Sequence, residues 1–68
     1  MIQVESSTIK AIDYMSRLYL LTIEFKNGSV YHYHSVESNV YKGLLKAESK
    51  GKYFHKYIRG KYDYKKEK

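Results

Sequence analysis

Over residues 19–25 apolar and polar positions alternate: Tyr19, Leu21, Ile23 and Phe25 are separated by Leu20, Thr22 and Glu24. A period of two predicts a β-strand with one buried face. Residues 9–14, rich in β-branched and aromatic side chains, predict a strand before it. The stretch VYHYHSV, residues 30–36, predicts one after it, with two tyrosines on one side and two histidines on the other. Beyond Val36 the period changes. Val40, Tyr41, Leu44 and Leu45 recur at helical spacing, with Ser35 or Ser38 placed to cap the start and Gly51 to follow the end. Gly43 inside that helix costs about 1 kcal/mol relative to alanine, which predicts close packing of the helix on the sheet. Tyr53 with Tyr57 and Phe54 with Ile58 form two i, i+4 stripes and predict a second, short helix. Residues 61–68 have no apolar period and predict a disordered basic tail after a single domain of residues 1–60.

The turn Lys26-Asn27-Gly28 admits two registers. A two-residue Asn-Gly loop sets Ile23 opposite His32. A three-residue loop with Gly28 in the left-handed conformation sets Ile23 opposite Tyr31 and Leu21 opposite Tyr33. Directly opposed residues share a sheet face, so a slip of one residue exchanges tyrosines for histidines beside the aliphatic row. Two buried imidazoles both need partners, whereas tyrosine buries a large ring and leaves its hydroxyl wet. The three-residue loop is therefore expected, with Tyr31 and Tyr33 inward and His32, His34, Thr22 and Leu20 outward.

These elements predict an α+β fold, a three-stranded antiparallel meander packed by one helix and a short second helix. A chain of 68 residues forms one domain with a thin core, burying about 60% of its unfolded surface. It contains no cysteine, and so no disulfide or thiolate metal site. The opening MIQVESSTIK has neither a basic start nor an apolar stretch, and no apolar run approaches the ~18 residues of a membrane span. A soluble, cytoplasmic protein without membrane contacts is expected.

The net charge of +6 is confined to one end. Acids and bases balance through residue 49. Lys50, Lys52, Lys56, Arg59, Lys61, Lys65, Lys66 and Lys68 then face only Asp63 and Glu67. Tyr53, Tyr57, Tyr62 and Tyr64 are threaded through the same segment, placing cations for phosphates beside ring faces for bases. The other reading of this composition is a solvated face that keeps a small protein soluble. Lys50, Lys52, Tyr53, Lys56, Tyr57, Arg59 and Lys61 are the candidate nucleic-acid contacts.

Other motifs carry less. Ser6 and Ser7 precede a strand and read as a turn, or, with Lys10 and Arg59, as a small anion site. His32 and His34 stand two apart on one strand face, but only His55 or Glu24 is available to complete a metal site, so no metal and no cofactor are expected. No nucleophile turn or spaced carboxylate pair is present, and the chain is not expected to be an enzyme. Tyr31 and Tyr33 either pack in the core or stack bases as in sheet-based RNA binders.

Taken together, Ser6-Ser7 with Ile9, Ile12 and Tyr14, then Leu21, Ile23 and Phe25, then Gly28 with Tyr31, Tyr33 and Val36, resemble the KTSC domain family. Val40-Tyr41, Leu44-Leu45, the Ala47, Ser49, Gly51 spacing, Tyr53-Phe54 and Ile58-Arg59 continue the likeness. The family is found at the C-terminus of some lysyl-tRNA synthetases and alone in small bacterial and phage proteins. Asp13, Met15, Glu37 and His55 depart from its usual residues without removing a strand or the helix. The resemblance implies an RNA-binding role by association with the synthetase. The expected function is a non-enzymatic nucleic-acid binding domain, for RNA or single strands. The alternative is a self-associating interaction protein, a homo-oligomer that captures an acidic protein partner or a small anionic ligand such as a nucleotide.

Overall fold

The computed structural model describes residues 2–67, so Met1 and the Lys68 end of the expected tail lie outside the described residues. Five strands form one antiparallel sheet in chain order: β1 (Ile2–Gln3), β2 (Ile9–Met15), β3 (Leu20–Phe25), β4 (Val30–Tyr33) and β5 (Tyr64–Glu67). Between β4 and β5 run α1 (Ser38–Lys46), α2 (Lys50–Tyr53) and a π-helical turn, Phe54–Ile58. The α+β class and the β2–β3–β4 meander are as expected, but the sheet has five strands rather than three. β1 is only two residues long. β5 is built from YKKE, part of the segment expected to be a disordered tail, and pairs with β4 through Tyr33↔Tyr64, Tyr31↔Lys66 and Val30↔Glu67.

The β3–β4 register is the one the three-residue loop requires: Leu21 lies opposite Tyr33, Thr22 opposite His32 and Ile23 opposite Tyr31. Gly28 has φ +93°, a conformation that a side chain strains, and its amide donates to the Phe25 carbonyl at 3.0 Å. The Asn27 side-chain oxygen accepts from the Ser29 amide at 2.9 Å and closes the loop. In β2 the register shifts between Ile9 and Ala11. That bulge at Lys10 lets Ile9 and Ile12, three apart, both point into the core.

The core lies on one face of the sheet, where Ile9, Ile12, Leu21, Ile23 and Tyr33 meet Val36, Leu44, Phe54 and Ile58. Burying side chains of this size stabilises the fold by about 1.5–3 kcal/mol each relative to exposure. Tyr14 fastens the link into α1, donating its hydroxyl to the Val36 carbonyl at 2.6 Å and stacking on Tyr41 with centroids 4.6 Å apart.

Several expectations at element ends are corrected. Tyr19 is not on the apolar face: it closes the turn after β2 with φ 51° and is exposed. Neither serine caps α1, whose N-cap is Glu37 without a side-chain bond. α1 ends before Ala47, and Gly51 belongs to the next helix, which Ser49 caps by accepting from the Lys52 amide at 3.3 Å. Gly43 is tight against α2 rather than the sheet, since a Cβ there would come within 2.8 Å of Tyr53 Cζ.

Candidate nucleic-acid interface

The basic helical segment is built outward from two buried anchors, Phe54 and Ile58. Lys52, Lys56 and Arg59 are exposed, and Lys61 follows on the exposed loop. Lys50 is half-buried and donates from Nζ to the Ala47 carbonyl at 3.1 Å, closing the end of α1. Lys56 Nζ lies 5.3 Å from the centroid of Tyr57, a ring that is 47% exposed. Tyr53 is committed elsewhere: its hydroxyl donates to the Val40 carbonyl at 3.0 Å and its ring fills the space beside Gly43. None of Lys50, Lys52, Lys56, Arg59, Lys61, Lys65 or Lys66 has a carboxylate partner among the described residues.

The helices leave one end of the inner sheet face open as a cleft of about 330 Å³. Tyr33 and Phe54, 4% and 5% exposed, form its deep part, with ring centroids 5.6 Å apart. Tyr31 and Tyr64 stand beside them, 5.3 Å apart, and Tyr64 is 57% exposed. Thr8, Asn27, Ser29, His55 and Arg59 supply its polar lining. Lys66, from β5, holds its Nζ 5.8 Å from the Tyr31 centroid. Among the described residues no carboxylate lines the cleft.

Arg59 reaches this site because the turn beneath it is wide. Its amide donates to the Phe54 carbonyl at 2.8 Å, an i to i+5 bond that brings residue 59 back over residue 54. In a regular α-helix it would stand about 140° around the axis. The guanidinium instead lies 3.3 Å from Nδ1 of His55 at the cleft's edge.

Burial pushes the Tyr33 hydroxyl up to about 12, with Tyr31 and Tyr64 adding to the effect and Arg59 opposing it. Burial likewise raises Tyr14 and Tyr53. All three hydroxyls stay protonated at neutral pH, and those of Tyr14 and Tyr53 donate to the Val36 and Val40 carbonyls.

Ser6, Ser7 and Lys10 are not drawn together around an anion. Ser6 Oγ accepts from the Thr8 and Ile9 amides, each at 3.2 Å, and so forms the turn that starts β2. Lys10 faces the Glu24 carboxylate at 3.8 Å, and Ser7 is exposed. The histidines separate as well. His32 bridges Thr22 Oγ1 at 2.8 Å and Glu67 Oε1 at 3.2 Å, His34 is exposed beyond the end of β4, and His55 sits at the cleft. Among the described residues no three metal-ligating side chains gather, and no helix is long and apolar enough to cross a membrane.

Sequence reasoning named Arg59 as a phosphate contact, missed Asn27 and Ser29, and left out of its contact set two members of the basic segment, Tyr64 and Lys66. The signal for the last two was the alternation Tyr64, Lys66 on one face of a strand that only its pairing reveals.

The KTSC domain profile matches residues 5–62. The chain belongs to the KTSC domain family. This KTSC domain is 50% identical over 60 residues to a lysine–tRNA ligase of Trichormus variabilis, and 47% identical over 60 residues to one of a Nostoc species. Each match takes in 88% of this chain but 11% of the relative, so the chain spans about a tenth of the length of these ligases. The crystal structure of a KTSC domain protein from Yersinia pestis superimposes with a TM-score of 0.92 at 33% identity, covering 97% of this chain and 93% of that one.

Proposed function

We propose that this KTSC domain is a non-enzymatic binder of single-stranded nucleic acid, RNA foremost, working in the cytoplasm. One observation carries the reading: the C-terminal third holds seven cations without carboxylate partners among the described residues, with the open rings of Tyr57 and Tyr64 among them. Cations release counterions from a phosphate backbone, and flat rings take unstacked bases whatever their sequence. The folded segment presents no long helix with base-reading side chains for a duplex major groove, which favours single strands. The similarity to ligases named for tRNA points the same way.

In this reading Lys50, Lys52, Lys56, Arg59 and Lys61 meet phosphates, Tyr57 offers its ring, and Tyr53 acts by holding α2 against α1. Five phosphate contacts give a log-log salt slope of roughly −3.5 on a single strand. Fluorescence anisotropy with a mixed-sequence RNA from low to physiological salt measures it. An affinity that does not change with salt, or that survives loss of Lys52 and Lys56 together with residues 61–68, rules the reading out.

A further inference from the structure

The aromatic cleft between β4, β5 and the π turn combines features that neither a hydrophobic core nor a solvated basic surface needs. Its deep part is a ring pair sealed from water, Tyr33 and Phe54, yet Tyr31 and Tyr64 carry the aromatic surface out to solvent. Its charged neighbours are Arg59 and, over Tyr31, Lys66, with the imidazole of His55 beside Arg59. Its polar rim holds the side-chain NH2 of Asn27, whose carbonyl oxygen is already taken by the Ser29 amide, and the hydroxyls of Thr8 and Ser29. A ligand that matches is flat and apolar in its body, has hydrogen-bonding heteroatoms on one edge, and is anionic at one end. Its size falls at the small end of ligand sites, which run from about 300 Å³ upward.

We propose that this cleft seats one purine nucleotide, the base lying against Tyr31 and Tyr64, its edge meeting Asn27 and Ser29, and its phosphate meeting Arg59 with Lys66 in support. The site rests on the nucleic-acid reading when the nucleotide belongs to a strand, and stands without it when the nucleotide is free. Purines offer the larger stacking area, and the tilt of 52° between Tyr31 and Tyr64 leaves two ring planes for one base to choose between. The phosphate end is served by a guanidinium that presents parallel donors to phosphate oxygens.

The full chain, labelled with nitrogen-15, is titrated with AMP, with the hexanucleotide rA6 and with inorganic phosphate. The amides of Asn27, Ser29, His55 and Gly60 are expected to shift with AMP and with rA6, and to stay in place with phosphate alone. Tyr64→Ala and Arg59→Gln are each expected to weaken rA6 about tenfold, the effect of losing one stacked ring or one phosphate contact. Tyr64 belongs to β5, so its replacement also loosens that strand; Arg59→Gln changes an exposed side chain and gives the same test on an intact sheet. Cleft shifts with rA6 but not AMP assign the site to a nucleotide within a strand. Cleft shifts with AMP but no binding of rA6 keep the site and remove the strand reading. If rA6 binds with cleft amides unmoved and Arg59→Gln binds like the wild type, the cleft proposal fails while RNA binding stands. Silence from both AMP and rA6 overturns both.

Discussion

The hydroxyl of Tyr53 donates to the carbonyl of Val40 while its ring covers Gly43, so one side chain of α2 reads the backbone of α1 at two points. The second contact works only because residue 43 has no side chain. Replacing a helical glycine with alanine ordinarily stabilises by about 1 kcal/mol. Here the new methyl meets Tyr53 Cζ at 2.8 Å, and overpacking costs about 1–3 kcal/mol. Gly43→Ala is therefore expected to lower the melting temperature, and Gly43→Ala with Tyr53→Leu to recover part of the loss. A more stable Gly43→Ala single variant would show that the ring moves aside freely.

The alternation of β4 sets unequal roles for its neighbours. Tyr33→Ala removes a buried ring in contact with Phe54 and Tyr64 and is expected to cost about 3–5 kcal/mol in urea unfolding. His34→Ala, at an exposed site, is expected within about 0.5 kcal/mol. His32→Ala falls between, near 1 kcal/mol, because it breaks the bonds to Thr22 and Glu67. Equal effects for the two histidines would contradict the bridge.

Alkaline pH probes the Tyr33 hydroxyl. Its folded value lies near 12 against 10 for the unfolded chain. From pH 10 upward the unfolded state gives up this proton and the folded state keeps it, so the folded state binds more protons and stability falls as pH rises. The contribution is fully present below pH 10 and is lost through pH 12, about 2–3 kcal/mol in all. Urea melts of the wild type and Tyr33→Phe between about pH 9 and about pH 11.5 check the sign, the phenylalanine variant being expected to lose less. Parallel losses in the two proteins would assign the alkaline transition to other tyrosines.

Deleting residues 61–68 is expected to destabilise the domain, since β5 pairs with all of β4 and Tyr64 leans on Tyr31 and Tyr33. A loss of even 1 kcal/mol in a domain of this size lowers the melting temperature by about 4–8 °C. Hydrogen exchange at the His34 amide, which donates to the Asp63 carbonyl at 2.9 Å, gives a local readout. An unchanged melting point with His34 still protected would mean that β5 contributes nothing to the fold.

The legible parts of this fold were those where a wrong choice has a large cost. A one-residue slip at Lys26-Asn27-Gly28 would set His32 in place of Tyr31 opposite Ile23 and His34 in place of Tyr33 opposite Leu21, so side-chain chemistry selected the register. β5 was hidden for the opposite reason. It is an edge strand, where charge is tolerated and discourages further pairing, and YKKE carries no apolar alternation. The α1 cap was misread because Ser38 lies inside the helix and the first turn is closed by backbone alone. For the site, Tyr31 and Tyr33 were posed as either core or stacking surface, and they divide: Tyr33 is sealed, Tyr31 half-open. The cleft draws on Thr8, Asn27, Phe54, Arg59 and Tyr64, residues far apart in the chain, and no local spacing announces such a meeting.

The wide turn at Phe54–Ile58 has a consequence for chain length. It holds one residue more than an α-helical turn, yet Ile58 stays in the core and Arg59 over Phe54. A chain lacking one of residues 55–57 would set the same isoleucine and arginine three and four places after the phenylalanine, where an ordinary α-helix already shows them on one side. The turn behaves as an absorbed insertion: a shorter relative has an unstrained route to the same aromatic and arginine pairing, while a second added residue would swing the arginine off the cleft.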